Sequence, residues 1–141
     1  MTLNEYFKDP RKFKRRIIVM SVKDEGSKYI KGFDAAKGLK LKMKIAFQNS
    51  YVAVIDQGRE FLYEKASASK IECSYKVGDK YIDIVSSGFG CGKKSSVKIG
   101  ETEYSPDRPG LNVVIFKSKN LKLADAFSTD SYRDENLTVI K

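Results

Sequence analysis

The chain contains no histidine, so it lacks the side chain that most often acts as a general base or binds a metal ion. Its two cysteines, Cys73 and Cys91, are too few for a zinc site by themselves. They either form one disulfide or remain free thiols, as a reducing compartment favours. We therefore expect no metal and no cofactor. Because no nucleophile has an evident partner base, we expect a protein that is not an enzyme.

Long apolar runs are also missing. The longest are far shorter than the roughly 20 residues of a membrane-spanning helix, so no membrane span is expected. Residues 1–10 contain no apolar signal core, which predicts a cytoplasmic protein or one whose secretion signal has been removed. Residues 88–95 combine glycines with Lys94 and Ser95 but lack the spacing of a phosphate-binding Walker loop. This segment is predicted to be a loop between strands.

Positive charge is in excess, with 27 Lys and Arg residues against 18 Asp and Glu residues and a net charge of +9. Such a balance favours acidic partners, although solvated surface charge that aids solubility is the simpler explanation. One cluster spans residues 8–16 and surrounds Phe13, and another spans residues 37–44. The candidate nucleic-acid contacts in the first cluster are Arg11, Lys12, Lys14, Arg15 and Arg16.

At 141 residues the chain is long enough for one domain, 1–141, of which residues 1–15 are predicted to be a basic N-terminal extension. A short helix is predicted at residues 3–8 and the main helix at residues 26–37. Buried strands are predicted at residues 16–22 and 50–56. The alternation of apolar residues and lysines in residues 39–44 favours a further, half-buried strand.

The second half of the chain has the pattern of successive hairpins. Glycine turns at residues 78–80 and 100–101 separate alternating segments, and residues 111–116 are the most apolar strand of this half. Residues 137–140 are apolar enough for a last short strand. The predicted class is α+β, with antiparallel β-sheets packed together, one main helix and one or two short helices.

The most informative segment is residues 22–27, Val-Lys-Asp-Glu-Gly-Ser, where the first strand meets the predicted helix. Asp24 or Ser27 is expected to cap that helix, which is the simplest explanation of their position. The same turn also places carboxylates, a hydroxyl and free backbone N–H groups at one spot, which suits a ligand.

Two blocks of the sequence resemble the interleukin-like EMT inducer family, also called the GG domain. Residues 17–55 have the family's order of apolar strand, acidic turn, helix and a second apolar strand. Residues 99–129 resemble its short hairpin, followed by Gly-Leu-Asn-Val-Val at residues 110–114. The order of the blocks is swapped relative to vertebrate members, which resembles a circular permutation. The resemblance covers most of residues 16–130.

The family includes the sugar-binding stem domain of the enzyme that adds N-acetylglucosamine to protein O-linked mannose. The resemblance therefore implies a carbohydrate-binding surface. Asp24 matches the acidic position of the turn, while Gln48 and Asn49 replace the family's Arg and Asp. Pro109 stands where an arginine usually precedes the glycine, and Arg108 lies one residue earlier. The predicted ligand-binding residues are Asp24, Gln48, Asn49 and Arg108, gathered in one shallow site, with Tyr51 or Tyr104 as an aromatic face.

Two functions follow as hypotheses. The first is a non-catalytic module that binds a glycan or glycoconjugate. The alternative is a basic interaction protein that binds nucleic acid or an anionic protein through residues 8–16. A glycosidase would need two opposed carboxylates, and Asp24 and Glu25 are adjacent and point in different directions.

Overall fold

The computed structural model describes residues 1–30, 43–57 and 59–141. The α-helix among these residues is α1, Leu3–Phe7, and single 3-10 turns are formed by Pro10–Lys12 and Phe89–Cys91. No helix in this part of the chain is long and apolar enough to cross a membrane. The strands are β1 (Arg16–Asp24), β2 (Ser50–Asp56), β3 (Glu60–Ser67), β4 (Ile71–Val77), β5 (Lys80–Gly88), β6 (Lys94–Ile99), β7 (Thr102–Glu103), β8 (Gly110–Lys117) and β9 (Leu123–Thr129).

Strand β1 lies at the centre of the fold. β2 and β8 pair with its two edges in antiparallel fashion, and β3 and β9 extend the sheet to give the order β3-β2-β1-β8-β9. At its C-terminal end β1 also pairs in parallel with β5, through Lys23 with Ser87 and Asp24 with Gly88. β5 continues into a second layer with β4, β6 and β7.

The uninterrupted apolar sequence of β1 is explained by burial on both faces. Ile18 and Met20 belong to a core cluster that includes Phe7 of α1. Val19 belongs to the other cluster, which it shares with Ile84 of the second layer. β1 is therefore held from both sides as well as along both edges.

Buried serine hydroxyls join the two layers at the point where β1 stops pairing with β2 and begins to pair with β5. The Ser86 hydroxyl donates to the Val22 carbonyl at 2.6 Å and accepts from the Tyr51 amide at 2.9 Å. The Gly88 amide donates to the Ser50 hydroxyl at 2.9 Å. These bonds satisfy backbone groups that the sheet itself leaves unpaired, and they hold the start of β2 beside the end of β5.

Several sequence predictions are confirmed. The strands predicted at residues 16–22, 50–56 and 111–116 are β1, β2 and β8. Both glycine turns form two-residue hairpin loops, with φ near +60° at Gly78 and Gly100. Residues 137–140 make only isolated bridges, including Ser128 with Ile140.

The start of the predicted main helix is wrong. Residues 25–29 form no helix, and residues 31–37 of the predicted helix lie outside the described residues, as does most of the alternating segment 39–44. The Gly26 carbonyl accepts from the Ser131 hydroxyl at 2.8 Å, and the Tyr29 amide donates to the Ser131 carbonyl at 2.7 Å. Tertiary contacts thus occupy backbone groups that a helix would use. The described chain is β-rich with one short helix, so the predicted α+β class is supported only in part. The predicted antiparallel arrangement needs correction, because β1 and β5 pair in parallel and the sheet is mixed.

The basic N-terminal extension also needs correction. Leu3, Tyr6 and Phe7 are almost completely buried and belong to the core cluster on one face of β1. The segment 3–7 is therefore part of the core, while residues 8–15 carry the positive charge on the surface. The two cysteines, Cys73 and Cys91, are free and half-buried, and burial raises the pKa of the Cys73 thiol.

Candidate functional site

Five loops converge at the C-terminal end of β1. They follow β1, β5 and β9 and precede β2 and β8. The antiparallel pairing of β1, β2, β8 and β9 and the parallel pairing of β5 with β1 bring all of them to the same end of the sheet. Together they enclose a cavity of about 300 Å³, here called the cleft. Its lining residues are Asp24, Glu25, Phe47, Gln48, Phe89, Pro109, Asp130, Tyr132 and Arg133.

Two glycines allow the loops to approach this closely. A Cβ atom at Gly88 would lie 2.1 Å from the Gln48 carbonyl oxygen, and one at Gly110 would lie 2.4 Å from the Thr129 carbonyl oxygen. Both distances are well inside van der Waals contact with backbone that cannot easily move. The shape of the cleft therefore depends on the absence of a side chain at these two positions.

Glu25 links the loop after β1 to the loop before β2. It is only 8% exposed. Its Oε1 accepts from the Ser27 amide at 2.8 Å and from the Ser27 hydroxyl at 2.5 Å, and its Oε2 accepts from the Gln48 amide. Both carboxylate oxygens are thus committed to holding the loops, which makes Glu25 a structural residue of the site.

Other polar groups of the cleft are uncommitted toward the described part of the chain. Among the described residues, the Asp24 carboxylate and the Gln48 side-chain amide have no hydrogen-bond or ion-pair partner. Asp130 accepts from the Tyr132 and Arg133 amides through Oδ1, which leaves its Oδ2 without a partner in the same part of the chain. Carboxylate oxygens accept hydrogen bonds and an amide can both donate and accept. These groups are available to a polar ligand.

Aromatic rings supply the apolar part of the cleft. Phe47 is 62% exposed and Phe89 is 48% exposed, although large apolar side chains are usually buried. The Phe47 ring lies 6.2 Å from the Tyr132 ring, centroid to centroid. The Lys93 ammonium lies 4.3 Å from the centroid of Phe89, which holds that ring from one side. The cleft therefore combines hydrogen-bonding groups with exposed ring faces.

The predicted ligand-binding residues are only partly brought together. Asp24 and Gln48 line the cleft, whereas Asn49 does not belong to its lining. The Arg108 guanidinium turns away and donates to the carbonyls of Ile140 at 3.0 Å and Lys141 at 3.4 Å. Arg108 therefore fastens the C-terminal residues to the sheet.

Of the two tyrosines considered as an aromatic face, Tyr51 is a core residue and Tyr104 is a partly buried residue that packs against the core. Tyr51 is fully buried and its hydroxyl donates to Glu64 Oε2 at 2.6 Å. Burial and this hydrogen bond to a carboxylate raise the pKa of Tyr51. Tyr104 packs edge-on against Phe116, with centroids 5.1 Å apart. Neither ring is presented to the cleft.

Sequence reasoning missed most of the cleft. Asp130, Tyr132 and Arg133 follow β9 in a segment that carries no motif. Phe47 and Phe89 did carry a signal, because each lies in a predicted loop next to polar or glycine residues. An aromatic residue in such a position is a candidate for exposure, and therefore for binding.

In the described ranges, no group of three or more Cys, Asp or Glu side chains is arranged to hold a metal ion.

The residues proposed for nucleic acid lie at the other end of β1. Arg11, Lys14 and Arg15 are exposed, while Lys12 and Arg16 are partly buried. Arg11 forms an ion pair of 2.8 Å with Asp9. The cluster is thus on the surface, but its members differ in exposure and in whether they form an ion pair.

Comparison with known proteins adds no relative. No family model matches the chain, and no curated protein or solved structure matches it at a significant level.

Proposed function

We propose that this chain is a non-catalytic binding module that recognises a carbohydrate in the cleft. The observation that carries the proposal is the Asp24 carboxylate, uncommitted within the described residues, in one small cavity with the exposed rings of Phe47 and Phe89. Membership of the interleukin-like EMT inducer family is part of the proposal, since Asp24 matches the acidic turn position of that family. The Gln48 and Pro109 departures leave the identity of the sugar open to experiment.

The chemistry of the cleft suits a sugar. Vicinal hydroxyls donate to carboxylate oxygens and accept from amides, which Asp24, Asp130 and Gln48 supply. The C–H face of a pyranose packs on an aromatic ring, which Phe47 and Phe89 supply. The cavity, at about 300 Å³, is at the small end of the range for ligand pockets, which fits one or two sugar units.

The charge of the cleft restricts the kind of sugar that we expect it to bind. Among the described residues, three carboxylates and one guanidinium line the cleft, and the Lys93 ammonium lies beside the Phe89 ring, in a protein whose net charge is +9. Locally acidic walls repel phosphate, sulfate and uronate groups. The proposed ligand is therefore a neutral sugar.

The absence of catalysis in the proposal rests on how the carboxylates are used. A glycosidase needs one carboxyl group as acid and another as nucleophile or base, on opposite sides of the scissile bond. Glu25 is unavailable for either role, because both its oxygens accept hydrogen bonds from Ser27 and Gln48. Asp24 and Asp130 keep uncommitted oxygens within the described residues, and the proposal assigns both carboxylates to hydrogen bonds with sugar hydroxyls. Hydrolysis of the bound glycan that is lost in Asp24→Asn would overturn this assignment.

The test begins with an array of neutral glycans that end in hexoses or N-acetylhexosamines, followed by calorimetric titration of the strongest binder. Asp24→Asn is the informative variant. Asp24 has φ +66°, a conformation that asparagine tolerates well, so the backbone should not change. A hydrogen bond to a charged group contributes about 1.5–3 kcal/mol, so affinity should fall at least about tenfold.

Asp79→Asn is the matched control, because it removes the same charge from an exposed hairpin turn remote from the cleft. It should leave sugar affinity unchanged. Phe89→Ala should weaken binding without unfolding the protein, since Phe89 is exposed. Sugar binding that survives both Asp24→Asn and Phe89→Ala, or no binding to any neutral glycan, would overturn the proposal.

A further inference from the structure

A second cavity lies at the opposite end of β1 and has no role in the proposed function. Its volume is about 310 Å³. Arg16 and Asp24 are the first and last residues of β1, so an extended strand separates the two cavities by roughly 25 Å. Its lining residues are Tyr6, Asp9, Arg11, Lys12, Arg16, Ile115, Ala124 and Asp125.

The two carboxylates of this cavity are already engaged. Asp9 accepts from the Arg11 guanidinium at 3.0, 3.1 and 2.8 Å, which lowers the pKa of Asp9. Asp125 Oδ2 accepts from the Tyr6 hydroxyl at 2.6 Å and from the Lys141 ammonium at 2.8 Å. Partial burial works to raise the pKa of Asp125, but these hydrogen bonds outweigh it and the pKa is lowered.

Within the described ranges, the cavity is lined by three cations, of which Arg11 pairs with Asp9. The other two, Lys12 and Arg16, have no carboxylate partner in the described chain. The Lys12 ammonium lies 5.0 Å from the centroid of the Tyr6 ring. The hydrogen bond of the Arg16 guanidinium is to the Arg15 carbonyl, at 3.3 Å. Both side chains are partly buried in the wall of a concave site, where reduced contact with water strengthens their attraction for an anion.

We propose that this second cavity is a binding site for a phosphate or sulfate group on a small ligand, held by Lys12 and Arg16. A guanidinium and an ammonium are the side chains that bind such groups most strongly. The size of the cavity favours a small molecule, and the adjacent cations Lys14 and Arg15 lie outside its lining. The site is therefore discrete, and it differs from a polyanion surface spread over the whole N-terminal cluster.

The test is a titration of the full chain with inorganic phosphate and with glucose 6-phosphate at constant ionic strength. Backbone amide chemical shifts, measured by NMR, monitor the binding. Both probes should give saturable shifts confined to the second cavity, and glucose should give none there. Tighter binding of glucose 6-phosphate than of inorganic phosphate would assign the site to phosphate esters. Equal binding of the two probes would assign the site to the free anion. Lys12→Gln with Arg16→Gln should weaken phosphate binding at least tenfold.

Lys14→Gln with Arg15→Gln is the matched control, because it removes the same charge just outside the cavity. It should change the affinity for phosphate less than twofold. If the Lys12 and Arg16 double variant does not fold, the single variants Lys12→Gln and Lys14→Gln make the same comparison.

Equal losses in the two double variants would show long-range attraction rather than a site, and would overturn the proposal. So would the absence of saturable binding of either probe. Binding of a short single-stranded RNA that both double variants weaken equally would assign the cluster to a nucleic-acid surface instead. None of these outcomes bears on sugar binding in the cleft, which uses different residues.

Discussion

Asp24 and Gln48, the two predicted residues that reach the cleft, have backbone conformations that side chains rarely adopt. Their φ angles are +66° and +61°, and such a conformation costs roughly 1–2 kcal/mol for each residue. Hydrogen bonds from Gln48 and Ser27 to the Glu25 carboxylate hold these loops in place. The cleft is thus formed before a ligand arrives, which reduces the ordering cost of binding.

The tight contact at Gly88 leads to a prediction about a single methyl group. Gly88→Ala places a Cβ atom 2.1 Å from the Gln48 carbonyl oxygen, so the loop before β2 must move. The free energy of unfolding should fall by about 1–3 kcal/mol, as in other overpacked sites. Sugar affinity should fall as well, because Gln48 lines the cleft. Urea unfolding and calorimetry measure the two effects.

Gly90→Ala is the control for this prediction. No atom lies within 4 Å of a Cβ at Gly90, two residues further along the same loop. Stability and sugar affinity should remain close to those of the unchanged protein. Equal behaviour of the two alanine variants would show that the Gly88 contact does not constrain the cleft.

At the scale of the element, α1 shows how a short helix is stabilised. It has only five residues, fewer than an isolated helix needs. A capping box between Thr2 and Glu5 satisfies its first amides, and Tyr6 and Phe7 insert into the core beside Phe127. The helix therefore depends on its tertiary contacts.

A comparison of two phenylalanines tests whether the N-terminal residues belong to the core. Phe7→Ala removes a fully buried ring and should lower the free energy of unfolding by about 3–5 kcal/mol. Phe89→Ala removes a half-exposed ring and should cost far less. Thermal or urea unfolding measures both. If the Phe7→Ala protein were as stable as the Phe89→Ala protein, residues 1–15 would be an extension that adds nothing to the core.

At the scale of the whole molecule, β1 separates two cavities of opposite charge. Among the described residues, the cleft at its C-terminal end has carboxylates in excess, and the cavity at its N-terminal end has two cations, Lys12 and Arg16, without a carboxylate partner. Because the two are roughly 25 Å apart, more than a Debye length at physiological salt, each should behave independently.

Salt should therefore separate the two binding events. Raising the ionic strength should leave the affinity for a neutral sugar almost unchanged, because no counterions are released. The affinity for phosphate should fall steadily, as expected when an anion contacts Lys12 and Arg16. Titrations of one protein sample with both probes measure this. A sugar affinity that falls as steeply as the phosphate affinity would contradict the assignment of a neutral ligand to the cleft.

Much of the β-strand framework could be predicted from the local pattern of apolar residues and glycines. The apolar runs of β1, β2 and β8 have too few polar residues for any exposed face, and the hairpin glycines stand where positive φ is needed. The helix at residues 26–37 was expected from apolar spacing, but hydrogen bonds to Ser131 hold Gly26 and Tyr29 outside a helix. That residue is 105 positions away from Gly26, beyond the reach of any local pattern.

The sequence by itself determined the strands, the turns and the acidic segment at the end of β1, because these depend on side-chain periodicity and on backbone preferences of single residues. Only the tertiary structure decided which side chains share the cleft. Tyr51 and Arg108 have the right chemistry but are committed to Glu64 and to the C-terminal carbonyls. Asp130 and Tyr132 became cleft residues because β9 ends beside the start of β8, which in turn lies beside the end of β1. Exposure and free hydrogen-bonding capacity are properties of the packed chain, since each depends on residues distant in sequence.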